Sequence, residues 1–164
     1  MKRRAFLASA GAGLAATTVA APAIAQSQPE VRWRLASSFP KSTDILFGTS
    51  ESIAKRVSEA TDGKFQIRAY ASGEIVPPLQ VLDSVQNGTV ECGHTCGYYY
   101  VGKDPTFAFD TAIPFGPNAR QQAAWFQFGG GREVMRAFFD KHNIVQFPAG
   151  NTGTQMGGWF RKEI

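Results

Sequence analysis

The chain has 164 residues, 43% of them hydrophobic and including 13 Phe and 3 Trp, which is enough for about one domain with its own core and argues against extensive disorder. It carries 17 basic and 13 acidic residues, a formal net charge of +4. The chain has no basic stripe and no interleaving of aromatic with basic residues, so the composition argues against nucleic acid as a partner.

The first 25 residues have the pattern of an export signal peptide. Residues 2–4 are basic, residues 5–20 are mildly apolar, and Ala23-Ile24-Ala25 forms a small-x-small cleavage site. The Arg3-Arg4 pair resembles the twin-arginine signal of the Tat route. The alternative, a membrane anchor, requires a longer and more hydrophobic segment. We therefore expect residues 1–25 to be removed, which leaves residues 26–164 with 14 basic and 13 acidic side chains.

The first predicted unit is a strand, a helix and a second strand. Val31, Trp33 and Leu35 alternate with other residues, which is typical of a strand. A helix should start at Ser42 or Thr43 and stop at Thr61-Asp62-Gly63. One side of this helix is apolar, at Leu46, Ile53, Val57 and Ala60. Residues 65–70 alternate again, so we expect two parallel strands joined by a right-handed crossover.

A second crossover follows. Pro77-Pro78 favours a first helical turn, and Asn87-Gly88 ends the predicted helix. Residues 90–94 form the third predicted strand. The order β-α-β-α-β predicts the α/β class, with a doubly wound, mostly parallel sheet.

The two cysteines of the chain flank a histidine, in the cluster Cys92, His94 and Cys96. This cluster suggests, as an alternative function, an exported metal-dependent enzyme, but no second ligand cluster lies at the spacing of a zinc site. In an extended segment the two cysteine Cα atoms would be about 13 Å apart, too far for a disulfide. The default interpretation is a pair of small, buried, apolar side chains.

Three consecutive tyrosines, Tyr98 to Tyr100, follow the third strand. They cannot all lie in the core, because each buried hydroxyl would need a hydrogen-bond partner. One interpretation is that one or two phenols point into a binding cleft, and the other is that the rings pack against a helix.

The last third of the chain predicts two helices and a strand. Asn118 should cap a helix that runs to Phe128, and a second helix carries an apolar stripe. That stripe consists of Val134, Ala137 and Phe138. Residues 144–147 predict a fourth strand, and residues 150–164 a polar, glycine-rich loop before another apolar pair. This loop is either a ligand-binding loop at the end of a strand or a simple hairpin.

Motifs of the common enzyme classes are absent from the sequence. It has no dinucleotide-binding glycine motif and no Walker loop, and no nucleophile elbow. An enzyme is therefore the weaker hypothesis.

Several stretches resemble the solute receptors of TRAP transporters (tripartite ATP-independent periplasmic transporters). The general ones are RWRLASSFP at 32–40, AKRVSEATDGKF at 54–65, ASGEIVP at 71–77 and LQVLDSVQNG at 79–88. Two more, YYYVGKDP at 98–105 and GNTGTQMGGWF at 150–160, resemble the branch that binds 2-oxo monocarboxylates such as pyruvate.

The resemblance implies a periplasmic solute-binding protein with two lobes that close around a small carboxylate and a bound cation. The cation would be sodium, with calcium as the alternative. Asn151 and Gln155 would contact the solute, Gln155 would also bind the cation through its amide oxygen, and Tyr98 or Tyr100 would close the site from the first lobe. The implied partners are the TRAP membrane subunits, together with a homodimer for the full-length receptor.

The sequence departs from this family in length. It stops at Arg161-Lys162-Glu163-Ile164, roughly halfway along a family member, and the carboxylate-binding arginine of relatives follows that point. We therefore expect residues 26–164 to be the first lobe of a periplasmic-binding-protein-like receptor, truncated before the second lobe.

Overall fold

A three-stranded parallel sheet forms the centre of the fold in this computed structural model, which describes residues 30–153, 158 and 160–163. The strands are β1 (Val31–Ser37), β2 (Phe65–Tyr70) and β3 (Cys92–His94), in the order β2-β1-β3. Both strand pairs are parallel, with Val31 opposite Phe65 and Leu35 opposite Cys92. The predicted α/β class and the parallel sheet are confirmed.

Two helical crossovers connect these strands. Helix α1 (Asp44–Ala60) joins β1 to β2, and a 3₁₀ turn (Pro78–Gln80) followed by helix α2 (Val81–Gln86) joins β2 to β3. Because β1 lies in the middle, the second crossover runs back past it. Right-handed connections that reverse direction place their helices on opposite faces of the sheet, which is the doubly wound arrangement.

Helix α1 ends where its sequence predicts. The helix stops at Ala60, and Gly63 adopts a φ of 75°, a left-handed conformation that glycine adopts without strain. The Gly63 N–H donates to the Ser58 carbonyl at 2.8 Å, which satisfies one of the free carbonyls at the helix end.

The predicted apolar side of α1 is only partly correct. Leu46, Ile53 and Val57 are half-buried, but Ala60 is exposed. The fully buried side chains are Phe47 and Ser50. Ser50 is buried because its hydroxyl has a hydrogen-bond partner on the sheet, the ring of His94, a tertiary contact that periodicity does not reveal.

Four helical segments follow β3. Two are 3₁₀ helices, Gly97–Tyr100 and Pro105–Asp110, and two are α-helices, α3 (Ala119–Phe128) and α4 (Gly131–Asp140). The predicted Asn118 cap is confirmed: its side chain accepts from the Gln121 N–H at 3.0 Å, and the Gln121 side chain accepts from the Asn118 N–H at 2.9 Å.

The main hydrophobic cluster lies among these later segments. It joins Leu82, Tyr100, Phe107, Phe126, Met135, Phe138 and Phe139. A smaller cluster joins Ala36 of β1 with Val76, Val81 and Val90. The two clusters are linked through α2, because Val81 and Leu82 are neighbours on this helix.

The predicted stripe of the last helix is wrong in phase. Phe138 is buried, but Ala137 is exposed and Val134 is 60% exposed. The buried face instead contains Gly131, Met135, Phe138 and Phe139. These positions are spaced i, i+4, i+7 and i+8, which is the regular apolar face of a helix.

The fourth strand predicted at residues 144–147 is not present. Within residues 30–153, no strand follows β3. Residues 144–147 keep the alternation of a strand, with Ile144 packed on the main cluster and Phe147 68% exposed. A strand also needs a partner for its backbone hydrogen bonds, and the described sheet does not extend to this segment.

None of the helices within the described ranges is long and apolar enough to cross a membrane. The predicted signal peptide, residues 1–25, lies outside the described residues, so its boundary stays a prediction. The assignment of residues 26–164 to a first lobe also stays a prediction.

Candidate functional site

The candidate site lies at the carboxyl ends of β1 and β3. These are neighbouring parallel strands, and the crossover that leaves β1 runs away from β3, to β2 on the other side of β1. Such a switch point leaves a crevice in open α/β sheets, where small ligands bind. The Ser38 N–H donates to the His94 carbonyl at 2.9 Å, so the two strand ends are held together.

A chain of hydroxyl groups runs across this edge of the sheet. Ser38 Oγ lies 2.7 Å from both the Pro78 carbonyl oxygen and Thr95 Oγ1. Thr95 Oγ1 in turn lies 3.0 Å from the hydroxyl of Tyr100, which accepts from the Leu82 N–H at 3.2 Å. These hydrogen bonds connect both strand ends with the start of α2.

Tyr100 lies inside the fold. Its side chain is only 3% exposed, and its ring packs edge-on against Phe107 with centroids 5.9 Å apart. Because its hydroxyl already bonds to Thr95 and to the Leu82 N–H, Tyr100 has a structural role. Its predicted contact with the solute stays a prediction.

Tyr98, by contrast, is at the surface. It is 38% exposed and packs edge-on against Tyr99, with ring centroids 4.8 Å apart. Partial burial of the phenol, with Cys96 and Tyr99 beside it, raises the pKa of Tyr98 above its ordinary value. The hydroxyl therefore keeps its proton at neutral pH and can donate it to an anionic solute.

The cysteine-histidine cluster has no metal-site geometry. Among the described residues, no group of three or more His, Cys, Asp and Glu side chains is placed to hold a metal ion. The ring of His94 has Nδ1 2.8 Å from Ser50 Oγ. Burial raises the pKa of Cys92 to about 11 and also raises that of Cys96, so both thiols stay protonated. As the structure places them, Cys92, His94 and Cys96 therefore do not form a metal site.

The glycine-rich loop is described only in part. Asn151 is exposed, and its Oδ1 accepts from the Gly153 N–H at 2.7 Å, which forms a local turn. The amide nitrogen of Asn151 has no role in that turn. Gln155, the predicted cation ligand, lies outside the described residues.

A buried carboxyl group connects the tyrosines with the segment that leads to this loop. Asp110 accepts hydrogen bonds from the Gly97 N–H and from Gln146 Nε2. Burial raises its pKa to about 6. Sequence reasoning missed this group. The only signal was a lone acidic residue directly after the apolar stretch Phe107-Ala108-Phe109.

Charged pairs account for several basic side chains elsewhere on the surface. Arg34 donates from Nη2 to Glu91 at 2.7 Å, and Lys103 pairs with Asp83 at 2.6 Å. The hydrogen bonds from Arg34 lower the pKa of Glu91 to about 2. Arg161 is exposed. No contact among the described residues places any of these basic side chains at the carboxyl ends of β1 and β3.

Comparison with known proteins gives one consistent family. Residues 36–164 match the model for bacterial extracellular solute-binding proteins, family 7. A monocarboxylate 2-oxoacid-binding periplasmic protein of Nostoc is 50% identical over an alignment that covers all of this chain and 46% of the relative. The chain thus spans about half the length of this relative.

Solved structures agree with that result. A TRAP transporter solute-binding protein of Bordetella bronchiseptica, a dimer with calcium and picolinate, is 51% identical over 82% of this chain and 40% of its own, with a TM-score of 0.80. A TRAP periplasmic solute-binding protein of Pseudoalteromonas atlantica, with bound sodium and pyruvate, is 44% identical over 82% of this chain and 41% of its own, with a TM-score of 0.79. The resemblance stated from sequence is confirmed, and the matched family consists of solute-binding proteins.

Proposed function

Because the chain belongs to the bacterial extracellular solute-binding protein family 7, we propose that it forms the first lobe of a TRAP transporter receptor for 2-oxo monocarboxylates such as pyruvate. The observation that carries this proposal is the 50% identity with a 2-oxoacid-binding protein along the whole chain. A pyruvate-bound neighbour at 44% identity supports the same solute class.

In this proposal, the solute lies between the tyrosine turn, which is residues 96–100, and the glycine-rich loop. Tyr98 donates its phenolic hydrogen to the solute, and Asn151 donates through its amide nitrogen, since its oxygen is used by Gly153. Tyr100 acts by holding the end of β3 against α2. The arginine that pairs with the solute carboxylate lies in the half of the receptor that this chain does not span.

A cation accompanies the solute in this proposal, with sodium as the first candidate and calcium as the alternative. The proposed ligand, Gln155, offers a neutral amide oxygen, a hard ligand suited to either ion. Both ions occur in similar structures, calcium in the Bordetella bronchiseptica protein and sodium in the Pseudoalteromonas atlantica protein. When bound, the cation supplies positive charge next to the solute carboxylate.

The receptor acts in the periplasm, where a closed complex of solute and cation delivers its cargo to the TRAP membrane subunits. Export through the Tat route follows from the twin-arginine pattern at Arg3-Arg4. The full-length receptor forms a homodimer in this proposal, as the Bordetella bronchiseptica neighbour does.

A chimaera tests the proposal. Residues 30–160 of this chain are joined to the second half of the Nostoc relative, and pyruvate binding is measured by calorimetry with and without sodium. We expect saturable, sodium-dependent binding. Asn151→Ala should weaken it about tenfold to hundredfold, because a hydrogen bond to a charged group contributes about 1.5–3 kcal/mol.

Tyr99→Phe serves as the matched control for Tyr98→Phe, since both phenols are similarly exposed. Only Tyr98→Phe should weaken binding. A folded chimaera that ignores pyruvate, or that binds it equally well in both Tyr98→Phe and Asn151→Ala variants, would refute the proposed site.

A further inference from the structure

Asp110 contacts both the turn that carries Tyr98 and the segment that leads to Asn151. It is the last residue of the 3₁₀ helix Pro105–Asp110, and it lies against Gly97, one residue before Tyr98. A Cβ atom on Gly97 would come 2.8 Å from Asp110 Cβ and 2.9 Å from Asp110 Oδ2. On its other side, Asp110 Oδ1 accepts from Gln146, five residues before Asn151.

The pair formed by Asp110 and Gln146 has one unused hydrogen-bond acceptor. Gln146 Oε1 is buried and has no donor among the described residues. A carboxylate cannot supply one, because it only accepts hydrogen bonds. A carboxylic acid can, because its O–H is a donor. A proton on Asp110 would therefore supply the hydrogen-bond donor that Gln146 Oε1 lacks.

The surroundings of Asp110 also favour the neutral acid. Neither a lysine nor an arginine of the described residues neutralises it. The hydrogen bonds from Gln146 and from the Gly97 N–H lower the pKa of Asp110, but burial has the larger effect and raises it. The titratable groups that face it are on the tyrosine turn, namely the Cys96 thiol and, next to that thiol, the Tyr98 phenol. Burial raises the pKa of Asp110 to about 6. It also raises the pKa values of Cys96 and Tyr98, so both keep their protons near pH 6 and Asp110 is the group that titrates there.

We propose that Asp110 and Gln146 form a proton-bearing acid–amide pair that holds residues 144–153 against the tyrosine turn and so positions Asn151 relative to Tyr98. Both are positioning residues, since neither is placed to touch the solute. The functional part of this inference rests on the proposed function. The pairing itself does not, because it is a property of the chain without solute.

The direction of the pH effect follows from this pairing. Below pH 6 the acid form gives the segment an additional hydrogen bond. Above pH 6 the ionised form leaves Gln146 Oε1 without a donor and buries a negative charge. Ionisation also places that charge near a solute that is itself anionic, so proton uptake at Asp110 and solute binding should favour each other.

The test uses the 164-residue chain without solute. Carbon-13 NMR of the aspartate carboxyl groups gives the pKa of Asp110, and hydrogen exchange, corrected for the intrinsic rate, gives the protection of residues 144–153. We expect Asp110 to titrate near pH 6 and the segment to open roughly tenfold more often at pH 7 than at pH 5, given an ordinary pKa of about 3.9 when the pair is broken.

Variants separate this role from a purely structural one. Asp110→Asn keeps a donor and an acceptor without a charge, so protection should remain at its acidic level at both pH values. Asp110→Leu and Gln146→Met should each give low protection at both. Asp140→Asn, at an exposed carboxyl on α4, is the control and should keep the tenfold difference.

Two results would overturn the inference. One is a pKa of Asp110 near 4 in the folded chain. The other is equal protection of residues 144–153 at pH 5 and pH 7 in the parent chain. Because neither measurement involves pyruvate, a failure here is distinct from a failure of the chimaera to bind it.

Discussion

The three adjacent tyrosines show how neighbouring residues of one type take different roles. Tyr98 and Tyr99 face solvent, whereas Tyr100 is buried and bonded to Thr95 and to the backbone of α2. A 3₁₀ helix has three residues per turn, so consecutive side chains point in three directions. The two interpretations of this motif from sequence, cleft and core, therefore apply to different tyrosines.

Removing the hydroxyl of Tyr100 should destabilise the fold. In Tyr100→Phe, the Leu82 N–H loses its acceptor in a buried position, which costs about 1–3 kcal/mol. Urea unfolding monitored by circular dichroism measures this loss. Tyr99→Phe is the matched control and should change the unfolding free energy by less than about 0.5 kcal/mol. Equal stability of the two variants would contradict the structural role.

The ionisation of Asp110 predicts a component of stability that declines as pH rises. Below about pH 4 the carboxyl is protonated in both the folded and unfolded chains, and nothing is lost. Between about pH 4 and 6 the unfolded chain ionises first, because the folded pKa is raised to about 6. The loss is complete above the folded pKa.

The comparison of the parent chain with Asp110→Asn isolates this component from the other carboxyl groups. Between pH 4.5 and pH 7, the unfolding free energy of the parent should fall by about 2 kcal/mol relative to that of the variant, since each unit of pKa shift corresponds to about 1.4 kcal/mol. Parallel urea unfolding curves at the two pH values provide the measurement. If the unfolding free energy changed equally with pH in the parent and in the variant, Asp110 would have an ordinary pKa.

At the scale of elements, α4 shows why periodicity alone can place a helix correctly and still assign the wrong face. Val134, Ala137 and Phe138 satisfy helical spacing, and so do Met135, Phe138 and Phe139. The second set packs against Phe107 and Phe126, which are contributed by distant segments. The choice between the two faces is made by these partners.

Two neighbouring substitutions distinguish the faces. Met135→Ala should cost about 2–5 kcal/mol, because Met135 is 1% exposed within the main cluster. Val134→Ala, at a position that is 60% exposed, should change stability by less than about 0.5 kcal/mol. Thermal or urea unfolding of both variants checks the difference. A larger loss in Val134→Ala would restore the face predicted from sequence.

At the scale of the whole molecule, the chain spans 40% to 46% of the relatives compared above. One wall of the proposed site lies on this part, on the tyrosine turn and the loop that contains Asn151. The charged contact with an arginine is expected from the remainder. A hydrogen bond to a charged group contributes about 1.5–3 kcal/mol, so a site without it loses at least an order of magnitude in affinity.

The 164-residue chain on its own should therefore bind pyruvate weakly or not at all. Calorimetry with pyruvate in sodium buffer, run beside the chimaera described above, measures this. A cooperative melting transition of the chain serves as the control that it is folded. Micromolar affinity in the chain alone would show that the described lobe needs no second wall.

Local patterns in the sequence determined the first three strands, the two crossovers and the ends of several helices. The strand at Val31–Ser37, the stop at Gly63 and the cap at Asn118 each depend on residues close together in the chain, and the structure contains all three. Burial along this strand does not alternate as predicted, because its first four residues are exposed and its last three are buried. The parallel, doubly wound order followed from the same patterns, because crossovers are right-handed.

Only the tertiary structure decided which side chains are buried and which distant residues they contact. The buried Ser50, the core position of Tyr100, the face of α4 and the pairing of Asp110 with Gln146 all depend on partners distant in sequence. The missing fourth strand has the same cause. Residues 144–147 have the alternation of a strand, but a strand forms only where another backbone is available to pair with it, and an alternating pattern cannot specify that neighbour.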